Sequence, residues 1–234
     1  MIKTVLFDLD GTLLPMNQDV FVKDYFSRLC EYLSPVGFEG EKLVRSIWQS
    51  LRKMSEDSSD KTNEQIFWQT FRDIYGEGVV DTIPAFERFY LEEFDKVSAV
   101  SSKNPLAREA VDLIKAKGMR IAVATNPFFP RIATEKRIGW AGFSPEEFEL
   151  VTVYENSDRA KPNPEYYLMV AKMLGVNPEQ CLMVGNDVDE DMIASTVGMD
   201  VFLLTDFIIN KGRKDISGYR QGGFADLIEY INTL

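Results

Sequence analysis

From Pro105 onward the chain alternates short apolar runs with amphipathic helical stretches, and this alternation constrains the fold of its 234 residues more than any other feature. A helical periodicity over residues 106–117 stops at Gly118, a residue suited to the left-handed conformation that ends helices, and an apolar run over 120–124 follows. The pattern then predicts a helix near 131–137, a strand near 150–153, a helix over 164–174 ending at Gly175, and a strand over 181–184. A short helix around Met192, a strand over 201–204 and a terminal helix over 224–231 complete the series. Together with the apolar run Val5-Leu6-Phe7 near the start, strands alternating with helices predict a parallel sheet covered on both faces, an α/β Rossmann-like core.

The stretch between the first strand and Ser98 reads differently. It holds no convincing strand and four helical periodicities, carried by Val20, Phe21, Tyr25, Leu29 and Leu33, then by Leu43, Ile47, Leu51 and Met54. Ile66, Phe67, Phe71 and Ile74 carry the third, and Phe86, Tyr90 and Phe94 the fourth. Breakers such as Ser34-Pro35-Val36-Gly37 and Gly76-Glu77-Gly78 separate them. The expected organisation is a core made of residues 1–15 and 99–234, with a mainly four-helix insertion over 16–98. Hinges are expected near 15–17 and 98–104, and the insertion's aromatics, among them Phe67, Trp68 and Phe71, are expected to form bundle core.

In open parallel sheets ligands collect at the carboxyl ends of the strands, and each notable polar cluster here falls just after a strand. The first is Phe7-Asp8-Leu9-Asp10-Gly11-Thr12, whose two acids lie two apart and so share a face. Two carboxylates held that close repel, which calls for a bound hard cation or a shared proton. The second, Ala124-Thr125-Asn126-Pro127, is a competent turn and also a place where a hydroxyl and backbone N–H groups can hold phosphate oxygens. The third is Lys161-Pro162, just before a helix. The fourth, Gly185-Asn186-Asp187-Val188-Asp189-Glu190-Asp191, suits either a helix cap or an oxygen-rich cation site.

Taken in order, these four segments resemble the haloacid dehalogenase-like (HAD) hydrolase superfamily, from Val5 to about Leu204. Asp8-x-Asp10-x-Thr12 matches its first motif, Thr125 its second, Lys161-Pro162 its third, and the acidic run after Gly185 its fourth. The resemblance implies a phosphatase with a helical cap of the first-position type, acting on a small phosphorylated metabolite with Mg²⁺. Asp8 becomes the nucleophile that forms an aspartyl-phosphate, Asp10 the acid and base, and Lys161 the cation beside both nucleophile and phosphoryl group. Thr125 and Asn126 bind phosphate and substrate, while Asp8, Asp10 and Asp187 hold the metal with Thr12, Asn186 and Asp191 in support. The usual fourth motif reads Gly-Asp; Gly185-Asn186-Asp187 departs from it, leaving open which of Asn186, Asp187 and Asp191 meets the metal. Asp10 speaks for phosphoryl transfer, since a halide leaving group needs no proton. A phosphomutase and a non-catalytic protein that binds a phosphorylated metabolite are the alternatives.

Composition narrows the chemistry. With 26 basic and 37 acidic residues the net charge is −11, which disfavours nucleic acid and anionic membranes as partners. Histidine is absent, so catalysis runs on carboxylates, Lys, Ser/Thr and a metal. Cys30 and Cys181 each sit in an apolar run and are expected reduced, and no apolar run approaches the roughly 20 residues of a membrane helix. With the first strand starting so close to Met1, a cytoplasmic location is expected; oligomeric state is not legible.

Overall fold

The computed structural model describes residues 1–234 and contains one six-stranded, wholly parallel sheet. Strands β1 (Thr4–Phe7), β2 (Arg120–Val123), β3 (Leu150–Val151), β4 (Cys181–Gly185), β5 (Asp200–Leu204) and β6 (Arg220–Gly222) lie in the order β3-β2-β1-β4-β5-β6. β1 is central, paired with β2 on one side and β4 on the other, and is buried along its whole length. That burial is why its sequence is a continuous apolar run rather than an alternating one. Five strands fall where the periodicity places them. β6 is an addition: Arg220-Gln221-Gly222 is a polar, partly exposed edge strand with no apolar signal to betray it.

Side chains of β1 alternate between two packed layers. Val5 and Phe7 join Val123, Val184 and Phe202 under helices α5 (Pro105–Ala116) and α8 (Phe224–Thr233). Leu6 joins Ala122 and Met183 on the opposite face, under Tyr166, Tyr167 and Val170 of α7 (Pro164–Leu174). The stretch expected as a short helix around Met192 is a 3-10 turn, Met192–Val197, on that second face.

Between β1 and α5 the chain forms α1 (Gln18–Leu33), α2 (Gly40–Glu56), α3 (Asn63–Tyr75) and α4 (Ile83–Glu92), joined by 3-10 segments. Asn17 caps α1, and Thr62 with Gln65 forms a reciprocal capping box on α3. The two chain crossings into this helical layer touch: Met16 bridges Ser101, and the Ser102 N–H donates to the Pro15 carbonyl at 3.1 Å. Phe71 is fully buried, whereas Phe67 and Trp68 have a double role, packed with Phe71 and also facing a cavity. α6 (Arg131–Trp140) follows β2. Both cysteines are free, and no helix is long and apolar enough to cross a membrane.

The 3-10 turn Pro145–Glu147 before β3 is tied to α5 by Glu147, which accepts from Arg108 at 2.7 and 2.9 Å, from Lys115 at 2.6 Å and from the Ser144 N–H at 2.9 Å. The Arg108 bonds, with those of Lys115 and Ser144, hold this carboxyl well below the usual range. A depressed folded-state pKa stabilises above the unfolded pKa and is lost as pH falls through the folded one. Glu147→Gln should therefore cost about 1–2 kcal/mol at pH 7, roughly 3–6 °C in Tm. In thermal unfolding scans the deficit should shrink below about pH 4, where Glu147 begins to protonate in the unfolded chain while the folded carboxylate is still ionised.

Candidate active site

The strand order reverses direction at β1 and β4, and the crevice at their carboxyl ends is where such sheets bind ligands. Asp8 follows β1 directly, its N–H donating to the Val184 carbonyl at 2.9 Å. Gly11 then turns the chain at φ +85°, and a Cβ there would collide with the Asn186 side-chain amide. From β4, Gly185 leads into the acidic segment; a Cβ on it would overlap the Asp191 carboxylate, so the glycine admits that side chain beneath the strand end.

Lys161 is the centre of the constellation. Its ammonium is buried and donates to Asp8 Oδ1 at 2.9 Å and Asp191 Oδ1 at 2.6 Å. Burial opposes the charge, but Asp191 and Asp8 outweigh it and keep the lysine protonated, its pKa well above the ordinary value. The other Asp191 oxygen accepts the Asp187 N–H at 2.9 Å, so both its oxygens are committed to structure. Burial pushes the Asp8 carboxyl up to about 7, with Lys161 limiting the rise and Asp191 and Asp10 adding to it.

Asp10 lies beside Asp8, and its Oδ2 pairs with Arg137 of α6, a guanidinium only 1% exposed. Arg137 stacks over Phe129, 4.3 Å from the ring centroid, and donates to Thr134 Oγ1 at 3.2 Å. The remaining Asp10 oxygen, Oδ1, is buried with no hydrogen-bond partner. Burial raises the Asp10 carboxyl despite Arg137 and Lys161. The motifs do not reveal Arg137, yet its signal is present: on α6 it shares the buried face of Ala133, Thr134 and Ile138, where a charge needs a partner.

Thr125 and Asn126 close the floor beyond β2. The Thr125 carbonyl accepts from Thr152 at 2.8 Å and Tyr166 at 2.9 Å, which fixes the backbone that carries its hydroxyl. Asn126 donates to Glu190 Oε2 at 3.0 Å, while its own Oδ1 is buried and unpartnered. Burial lifts Glu190 to about 8 against the pull of Lys161.

Asn186 is a tie rather than a charge. Its Oδ1 accepts from Thr12 at 3.0 Å and its Nδ2 donates to the Phe207 carbonyl at 2.7 Å, joining the loops after β1 and β5. An aspartate there could not make the second bond. Asp187 turns its Oδ1 back onto the N–H groups of Asp189, at 2.8 Å, and Glu190, at 2.9 Å. Asp8, Asp10 and Asp187 line the same cavity, and capping its own loop engages only one of the two Asp187 oxygens.

Asp8, Asp10, Thr125, Asn126, Asn186, Asp187 and Asp191 all line one cavity of about 700 Å³ that continues up between the helices α1 to α4. Thr12 and Lys161 stand behind it, 1% exposed each.

A profile of the haloacid dehalogenase-like hydrolases matches residues 2–195. The chain belongs to that family. It is similar to the pyrophosphatase PpaX of Bacillus cereus, 26% identical over 186 residues that cover 80% of this chain and 75% of the relative. Its fold is similar to that of a HAD phosphatase from Thermococcus onnurineus, with a TM-score of 0.60 at 19% identity and 98% of both chains covered. CbbY from Rhodobacter sphaeroides, solved in complex with phosphate, aligns with a TM-score of 0.59 at 19% identity over 97% of this chain and 96% of its own.

Lys161→Met should leave Asp8 and Asp191 facing each other without a cation, at a cost of about 3–5 kcal/mol near pH 7.5. Losing the cation raises the folded-state pKa of Asp8 further, so the variant's deficit should narrow as pH falls and that carboxylate protonates. Thermal unfolding at pH 7.5 and pH 5.5 reads this directly; an equal deficit at both would contradict the ion-pair account.

Proposed function

We propose that this HAD-family enzyme is a Mg²⁺-dependent phosphatase of small phosphorylated metabolites, working through an aspartyl-phosphate on Asp8. The observation that carries the reading is the buried Lys161 bond to Asp8 Oδ1, made at the floor of a cavity that Asp10 and Thr125 share. Lys161 orients the carboxylate and favours its ionised form against its burial, so that its other oxygen can attack phosphorus in line with the leaving oxygen. The same ammonium offsets charge on the phosphoryl oxygens, as does the Thr125 hydroxyl. Asp10, raised by burial, gives its proton to the leaving alcohol and then takes one from the water that attacks the acyl phosphate. The Arg137 ion pair fixes the rotamer from which Asp10 does this.

The residues present fit a hard divalent cation. Asp8 and Asp10 are neighbouring buried carboxylates, and Asp10 Oδ1 lacks any partner; Mg²⁺ sites often use only one or two carboxylates, completed by water and substrate phosphate. Asp8 and Asp187 would hold the ion, with Asp10 close beside it and its Oδ1 free to carry the proton exchanged with substrate. Bound there, Mg²⁺ supplies charge neutralisation between the two acids and the phosphate.

We assign residues 16–98 as a cap that closes over the core of 1–15 and 99–234, pivoting at the paired crossings Pro15–Ser102 and Met16–Ser101. Two free cysteines accord with a reducing cytoplasm.

Release of inorganic phosphate from p-nitrophenyl phosphate tests the assignment. Wild-type protein should turn over with Mg²⁺ and lose at least about 100-fold in EDTA. Asp8→Asn should be inactive, and Asp10→Asn should retain partial activity on this ester, whose leaving group barely needs a proton. Full activity of Asp8→Asn would remove the nucleophile from the scheme.

A further inference from the structure

Beyond the catalytic floor, the cavity is walled by Phe26, Trp48, Phe67, Trp68, Phe86 and Tyr154. Their rings interlock: Phe67 meets Trp68 at 5.2 Å and Tyr154 at 6.4 Å, Trp68 meets Phe86 at 5.4 Å, and Phe26 meets Trp48 at 5.8 Å. The charges on this wall are all of one sign where the helices supply them. Glu64 of α3 and Glu87 of α4 face the space, and neither α1, α2, α3 nor α4 contributes a Lys or Arg to it. Glu155 joins them from the loop after β3.

The cations that do reach the cavity are set apart. The Arg131 guanidinium pairs with Glu135 at 3.4 Å, and the Arg131 N–H donates to both Glu155 oxygens at 2.9 and 3.0 Å. Lys211 is exposed on the loop between β5 and β6. The Glu64 carboxyl is raised by its burial and by Glu87, and Glu155 by its burial and, in part, by Glu64. Glu64, Glu87 and Glu155 feel one another across the aromatic chamber, and Arg131, beside Glu155, only partly offsets them.

Building on the phosphatase assignment, we propose that the preferred substrate is a phosphate monoester whose leaving group is an apolar or aromatic alcohol bearing a protonated amine. Substrates with a second phosphate or a carboxylate on that group are disfavoured. A second anion would enter facing Glu64, Glu87 and Glu155 against aromatic rings, where the nearby guanidinium of Arg131 is already engaged by Glu135 and Glu155. An ammonium gains from both features, since ring faces attract cations and the carboxylates gain a partner. The cavity, about 700 Å³, has room for a leaving group of one or two rings above the phosphate. The reaction balances as hydrolysis: the P–O bond to the alcohol breaks as Asp8 bonds phosphorus, the alcohol leaves with the Asp10 proton, and water then displaces Asp8, giving its oxygen and one proton to the phosphate and the other proton back to Asp10.

The test compares three esters of similar size at fixed Mg²⁺: 4-(aminomethyl)phenyl, 4-methylphenyl and 4-carboxyphenyl phosphate. For the wild type, kcat/KM should be at least about tenfold higher for the aminomethyl than for the carboxy ester, mainly through KM, with the methyl ester between. Glu64→Gln should reduce the aminomethyl-to-methyl ratio, and Glu64→Lys should invert the aminomethyl-to-carboxy order. Ratios within one variant do not depend on the fraction folded, and comparing variants cancels the intrinsic reactivity of each leaving group. A carboxy ester turned over as fast as the aminomethyl one by wild type, or ratios unmoved by Glu64→Lys, would overturn the substrate class while leaving the phosphatase assignment standing. No phosphate from any of the three would instead overturn that assignment.

Discussion

The buried ammonium of Lys161 is the constraint around which the molecule is arranged. It holds Asp8 from the end of β1 and Asp191 from the loop after β4 on one point. Each of these ions would be costly to bury alone, by several kcal/mol after relaxation. Only together are they tolerable, so the three loops that carry them are fixed relative to one another whenever the chain is folded. Gly185 belongs to the same arrangement, because the Asp191 carboxylate occupies the space a side chain there would need.

Charge counting around this point explains why the site invites a further cation. Asp8, Asp10 and Asp191 face Lys161 and Arg137, leaving one acid without a cation of its own, and the unpartnered oxygen is Asp10 Oδ1, which a proton or a nearby cation can offset. Asn186 matters for the same reason. A third carboxylate at that position would deepen the imbalance and forfeit the bond to the Phe207 carbonyl, whereas the amide ties two loops together at no charge. Arg137 is placed so that it limits the rise of Asp10 without abolishing it: burial still wins, which favours the protonated form a general acid needs.

Much of this was legible because it depends on local rules. Strand ends, helix stops at Gly118 and Gly175, and the pairing of Asp8 with Asp10 follow from periodicity and spacing, and the residues that converge on the sheet's switch point were named from those rules. What escaped depends on partners far away in sequence. Arg137 belongs to none of the four motifs, and its partner lies 127 residues earlier. The use of one Asp187 oxygen as a loop cap turns on a backbone path through Asp189 and Glu190 that spacing does not specify. β6 escaped for the opposite reason: an edge strand that is partly exposed carries no apolar run, and its pairing to β5 is written only in the fold.

A chain with net charge −11 that binds phosphate must separate the task of attracting an anion from the bulk of its surface. Here the separation is spatial and steep. The only Lys and Arg side chains buried to 1% exposure sit at the catalytic floor, where low dielectric makes each worth more than a surface cation. A few residues higher, the helical wall offers rings and carboxylates and no cation of its own. A monoester therefore experiences attraction for its phosphate at one end and aversion to any second anion at the other. This polarity sets the direction in which substrate enters before any specific contact is made, and it follows from where two buried cations were placed rather than from the net charge.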